Sequence, residues 1–183
     1  MFTRDHSLPL LLDACSLINL IASGYFFEIV DSIPSQVLVV KYVLENEILN
    51  YEQMPYKQLG VKIDNNYLSE HLEVVDIETD EEAEILIDYS LLPSLDAGEA
   101  YSAAVAVSRG YVLCTDDKAA IRLSKKESKF NIVSTLEIVK YWSEKKCLTV
   151  EEIHVVLLNI QKFGNYRPGK MHEYYQWWSK HIS

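Results

Sequence analysis

Several carboxylates in this chain stand directly after apolar runs, where they could act together. Asp13 follows Leu8-Pro9-Leu10-Leu11-Leu12, and Asp116-Asp117 follow Tyr111-Val112-Leu113-Cys114-Thr115. Glu99 lies one turn into a helix-like stretch from Asp96 to Arg109. Glu47, or its neighbour Glu45, comes within one short helix of the run Val37–Val40. A single Asp after a strand is ordinarily a turn residue or a helix cap. A group of them is different, because like charges roughly 4 Å apart repel by about 4 kcal/mol at an effective dielectric of 20. Such a cluster persists with hard divalent cations that take oxygen ligands, Mg²⁺ or Mn²⁺. The chemistry this suits is attack of water on a phosphate ester: the ion lowers the pKa of the water and stabilises the charge that grows on the phosphate.

These acids meet only if the right elements carry them. Leu8–Leu12 and Val37–Val40 are continuously apolar, as strands covered on both faces are. Glu73–Ile77, Tyr111–Cys114 and Asn131–Val133 are further strands. Helices are expected over 16–22, 42–50, 80–90, 96–109, 118–125, 134–145 and 149–160, with another ended by Gly60. Thr79 and Glu82 form a capping box, and Gly110 sits where a C-terminal glycine cap belongs. Alternation of strand and helix predicts an α/β fold with a mostly parallel sheet. Open parallel sheets bind ligands outside the carboxyl ends of their strands, where Asp13 and Asp116 would stand. A main unit is expected over 1–145. Residues 146–183 form a helical, aromatic extension in which Tyr174, Tyr175, Trp177 and Trp178 crowd together, either packed or stacked on bases.

Charge is uneven. The net charge is −10, yet residues 101–183 hold 13 Lys and Arg against 8 Asp and Glu, and residues 1–100 hold 4 against 19. An acidic half can house a cation site, and a basic half can hold phosphates. Lys118, Arg122 and Lys125 or Lys126 fall three and four apart, so they can share one helix face as a phosphate track. Asp80, Glu81, Glu82 and Glu84 start a helix and favour its dipole. Cys15, Cys114 and Cys147 lack CxxC spacing, which argues against both a disulfide framework and a zinc site. No apolar run approaches the ~18–20 residues of a membrane helix. Asp5 and His6 interrupt Met1–Leu12, so it reads as part of a mature, cytoplasmic chain rather than a leader.

Three segments carry a family resemblance. Leu12-Asp13-Ala14-Cys15-Ser16-Leu17-Ile18, Leu95-Asp96-Ala97-Gly98-Glu99-Ala100 and Leu113-Cys114-Thr115-Asp116-Asp117-Lys118 resemble, in order and spacing, the motifs of PIN-domain nucleases. The resemblance covers about residues 8–140. It implies a three-layer α/β/α sandwich and Mg²⁺- or Mn²⁺-dependent cleavage of RNA. It also implies Asp13, Glu99 and Asp116 as metal ligands, with Asp117 as an outer ligand or cap. Glu47 fits the family pattern better than Glu45, because the apolar Ile48 follows it. Ser16 is the side chain expected to orient the metal or its water, since Cys15 occupies the family's usual Ser or Asn position. Many members are toxins held by an antitoxin, so an antitoxin or accessory protein, or a second copy of the chain, is the expected partner; a defence-associated nuclease also fits. The competing reading is a catalytically inactive PIN-like module acting through protein or RNA contacts. A phosphatase or nucleotide-binding reading lacks a Gly-rich phosphate loop.

Overall fold

Leu10–Leu12 form the central strand, β1, and are almost wholly buried. The computed structural model describes residues 8–48, 68, 70–127 and 131–182. The helix end expected at Gly60 lies outside these residues, as does the chain before Leu8. Strands β2 (Val37–Val40), β3 (Glu73–Val75), β4 (Val112–Cys114) and β5 (Asn131–Val133) complete a sheet of order β3-β2-β1-β4-β5, parallel throughout. The inner strands β1 and β2 are buried along their length, whereas the edge strands β3 and β5 are partly exposed. This is the gradient a sheet covered on both faces must show.

The helices are α1 (Ala14–Ala22), α2 (Phe26–Val30), α3 (Lys41–Val43), α4 (Asp80–Ser90), α5 (Ala97–Arg109), α6 (Lys118–Glu127), α7 (Thr135–Lys145), α8 (Val150–Phe163) and α9 (Tyr175–Ile182). Helix α2 has no counterpart among the sequence-based expectations. Helix α3 runs on as a π-helical stretch, Leu44–Ile48. Helix α5 lies on β1, β2 and β4 and packs against α4. Its face of Ala100, Ala103, Ala104 and Ala106 is fully buried, and the small side chains let the helix backbone approach the strands closely. On the other face α1 packs with α2, α7 and α8, and α9 packs on α8. The result is the expected α/β/α sandwich with added C-terminal helices.

Local chemistry explains the helix ends. Thr79 and Glu82 form the expected capping box, and Asp96 with Glu99 forms another. Gly110 closes α5 at φ +67°, in the left-handed region that glycine enters without cost. Arg109 at the end of α5 pairs with Glu82, which is 2% exposed, and donates to the Asp76 carbonyl at 2.7 Å. Arg109 holds the Glu82 carboxyl down at about 2. No helix among the described residues is long and apolar enough to cross a membrane.

Candidate functional site

The site lies where the strand order reverses. β1 pairs with β2 on one side and β4 on the other, with Leu12 in register with Cys114. The next residues, Asp13 and Thr115-Asp116, therefore emerge side by side, and the Asp13 amide still donates to the Cys114 carbonyl at 3.1 Å. Such a switch point opens a crevice at the carboxyl edge.

Asp13 is 3% exposed and caps α1, accepting the Ser16 amide at 2.8 Å. The Cys15 thiol lies 3.2 Å from both Asp13 oxygens, and the Thr115 hydroxyl also bonds the carboxylate. Burial pushes the Asp13 carboxyl up to about 6 against these hydrogen bonds, and the Asp116 charge adds to the rise. Asp116 is raised by burial as well. Its Oδ1 accepts the Thr135 amide at 3.2 Å and the Tyr166 hydroxyl at 3.1 Å, and its Oδ2 accepts Asn19 Nδ2 at 3.3 Å.

Glu47 joins this pair from the π-helical stretch. Its carboxylate fills the space beside Gly98, where a Cβ would collide with it. Burial pushes Glu47 up to about 7, and the charges of Asp96 and Asp13 push the same way. Glu45 is exposed. Glu99 reaches back into its capping box, Oε2 accepting the Asp96 amide at 2.9 Å. Burial raises Glu99 to about 7, and the Asp96 and Asp117 charges and a side-chain bond with Asp117 contribute. Asp117 also caps α6, its Oδ1 accepting the Ala120 amide at 3.0 Å. A continuous electrostatic chain thus runs Asp116, Asp13, Glu47, Asp96, Glu99, Asp117. The nearby His172 works against the rise at Asp116.

The donor set is all carboxylate oxygen, and Gly98 leaves a cradle for one member. Both features fit a hard divalent cation. Among the described residues no three of these acids are already gathered as a metal-binding group. Glu99 in particular is turned toward its own N-cap, with Oε2 on the Asp96 amide.

Ser16 contributes its amide to Asp13, while its buried hydroxyl lies against the Cys114 thiol rather than the carboxylate. The side chain that borders the Asp13 carboxylate is Cys15. Burial and the charges of Asp13 and Asp116 push that thiol far up, so it stays protonated and is no nucleophile. Lys118, Arg122, Lys125 and Lys126 are exposed on α6, which begins beside Asp117. Sequence reasoning missed Thr115, Asn19, Tyr166 and His172. Asn19 did leave a signal, as a polar residue inside the apolar face Leu17, Leu20, Ile21 of α1. Tyr166 and His172 left none, because their link to Asp116 is made across the fold. No protein-family model matches the chain, and no curated protein does.

Proposed function

We propose that the chain is a metal-dependent endoribonuclease of PIN-domain type, with its active site at the carboxyl edge of β1 and β4. One observation carries the reading: the pairing of β1 with β4 sets Asp13 beside Asp116 at the switch point, and Glu47, packed against Gly98 at the start of the helix that bears Glu99, joins their charge network. Acids held this way cost stability unless a cation or a proton compensates them.

In this reading Asp13 and Asp116 are the inner ligands, Glu99 joins them, and Asp117 supports from the second layer. Mg²⁺ or Mn²⁺, when bound there, supplies an activated water and neutralises charge on the phosphate. Glu47, with its carboxyl near 7, is suited to accept the proton of the attacking water at neutral pH. Attack breaks the P–O3′ bond and leaves a 3′-hydroxyl and a 5′-phosphate. The exposed cations of α6 hold the flanking RNA backbone. RNA as the substrate rests on the motif resemblance, as does a toxin or defence role with a restraining partner protein.

The test is cleavage of single-stranded and structured RNA by the purified chain, beside Asp13→Asn, with Mg²⁺, Mn²⁺ or EDTA. Metal-dependent cutting that disappears in the variant supports the site. Absence of both cutting and Mn²⁺ binding in the folded wild type favours the inactive binding module instead.

A further inference from the structure

Helix α8 ends at Gly164, and the chain turns sharply back across α1. A Cβ at Gly164 would collide with the Asn19 side chain and the Ile160 carbonyl, so the turn passes α1 as closely as backbone allows. Asn165 takes φ +53°, a left-handed conformation that Asn tolerates better than most residues. The turn delivers Tyr166, whose hydroxyl donates to Asp116 Oδ1 at 3.1 Å. Asn19, the residue that Gly164 abuts, donates to the other oxygen of the same carboxylate at 3.3 Å.

A carboxylate oxygen has about two lone-pair sites. The Thr135 amide and the Tyr166 hydroxyl occupy both sites on Oδ1. Asn19 takes one on Oδ2. The Thr135 side chain bonds the carboxylate as well, and Oδ2 carries fewer of the Thr135 amide, Tyr166 and Asn19 bonds than Oδ1, so it is the oxygen left more open. Removing the Tyr166 hydroxyl takes away one of the bonds that fix the carboxylate's orientation.

We propose that the C-terminal extension is part of the active site, with Tyr166 as a positioning residue that locks the Asp116 carboxylate and presents Oδ2 to the cation. The inference rests on the metal-dependent reading above. It assigns the extension a function in the site, beyond packing or partner contact.

The experiment is a Mn²⁺ titration followed by electron paramagnetic resonance on the full chain, comparing wild type, Tyr166→Phe, Tyr175→Phe and Asp13→Asn, with thermal melts alongside. Tyr166→Phe keeps the ring and removes only the donor. Loss of such an outer-layer partner typically weakens metal affinity about tenfold or more, and we expect a fall of that size with the metal-free melt unchanged. Tyr175→Phe, on the same segment, should bind Mn²⁺ like wild type. Equal affinity in Tyr166→Phe and wild type overturns the inference while leaving the metal site standing. An equal loss in Tyr175→Phe also overturns it, because the effect is then general packing of the segment. A folded wild type that binds no Mn²⁺ overturns the metal reading itself, and this inference with it.

Discussion

The Glu47 carboxylate occupies the space that a side chain at residue 98 would fill. Gly98 is the second residue of α5, a helix otherwise rich in alanine, where glycine costs about 1 kcal/mol relative to alanine. The local cost has a nonlocal reason: a glutamate from another element packs on that turn.

Gly98→Ala separates stability from function on this basis. Its Cβ meets the far end of a movable side chain, so Glu47 swings away and the fold persists. We expect a fold at least as stable as wild type, by up to about 1 kcal/mol, together with slower RNA cleavage at near wild-type Mn²⁺ affinity. Cleavage at the wild-type rate would show that Glu47 has no part in the site.

Asp13→Asn keeps a good helix cap, because Asn and Asp are equivalent at that position. It removes one charge from the carboxylate chain. The metal-free variant should therefore melt no lower than wild type at pH 8, while cleavage falls by about 100-fold or more. Circular dichroism melts and a gel-based cleavage assay measure the two effects on the same preparation.

Stability without metal should depend on pH in two opposite ways. The carboxyls of Asp13, Glu47 and Glu99 stand at about 6, 7 and 7 in the folded chain, above ordinary values of 3.8, 4.5 and 4.5. The folded state holds the extra protons, so stability falls as pH rises through that window. Glu82 is depressed from 4.5 to about 2, so its contribution is present above the ordinary value and is lost as pH falls toward 2. Thermal melts in EDTA should thus peak near the lower end of the first window, and Mn²⁺ should raise the melt at pH 8 much more than at pH 5. A metal-free stability that climbs steadily to pH 8 contradicts the site as described.

Arg109→Ala tests the frame apart from the site. It leaves Glu82 buried and unpaired, which typically costs about 3 kcal/mol, and also removes the bond to the Asp76 carbonyl. Arg109 is in the last turn of α5 and Glu99 in the first, so Mn²⁺ affinity measured well below the melt should not change. Urea denaturation gives the first quantity and a Mn²⁺ titration the second.

Arg122→Ala addresses the basic face of α6. If Arg122 holds a phosphate, RNA affinity falls similarly for every sequence, and the slope of log affinity against log salt drops by about one. An unchanged slope would assign this face to solvent.

The strands and most helices were legible because their causes are local, although α2 was not expected and α1 begins at Ala14 rather than at 16. A continuous apolar run makes a buried strand, and a side-chain oxygen satisfies the free amides of a helix start. Asp13, Asp96, Glu99 and Asp117 could be placed at element ends from those rules alone. The choice between Glu45 and Glu47 was not legible from helical spacing. They lie in a π-helical stretch, which bonds i to i+5 and shifts which residues share a face; the motif resemblance favoured Glu47, the residue that packs beside Gly98. The pairing of β1 with β4, which sets Asp13 beside Asp116, depends on contacts about 100 residues apart, and no local pattern encodes it. The same is true of Tyr166 and Asn19 on Asp116. By itself the sequence determined which residues stand at the ends of the elements; the strand order and the turn at Gly164 decided which of them share a charge network, because like charges and hydrogen bonds act through space and not along the chain.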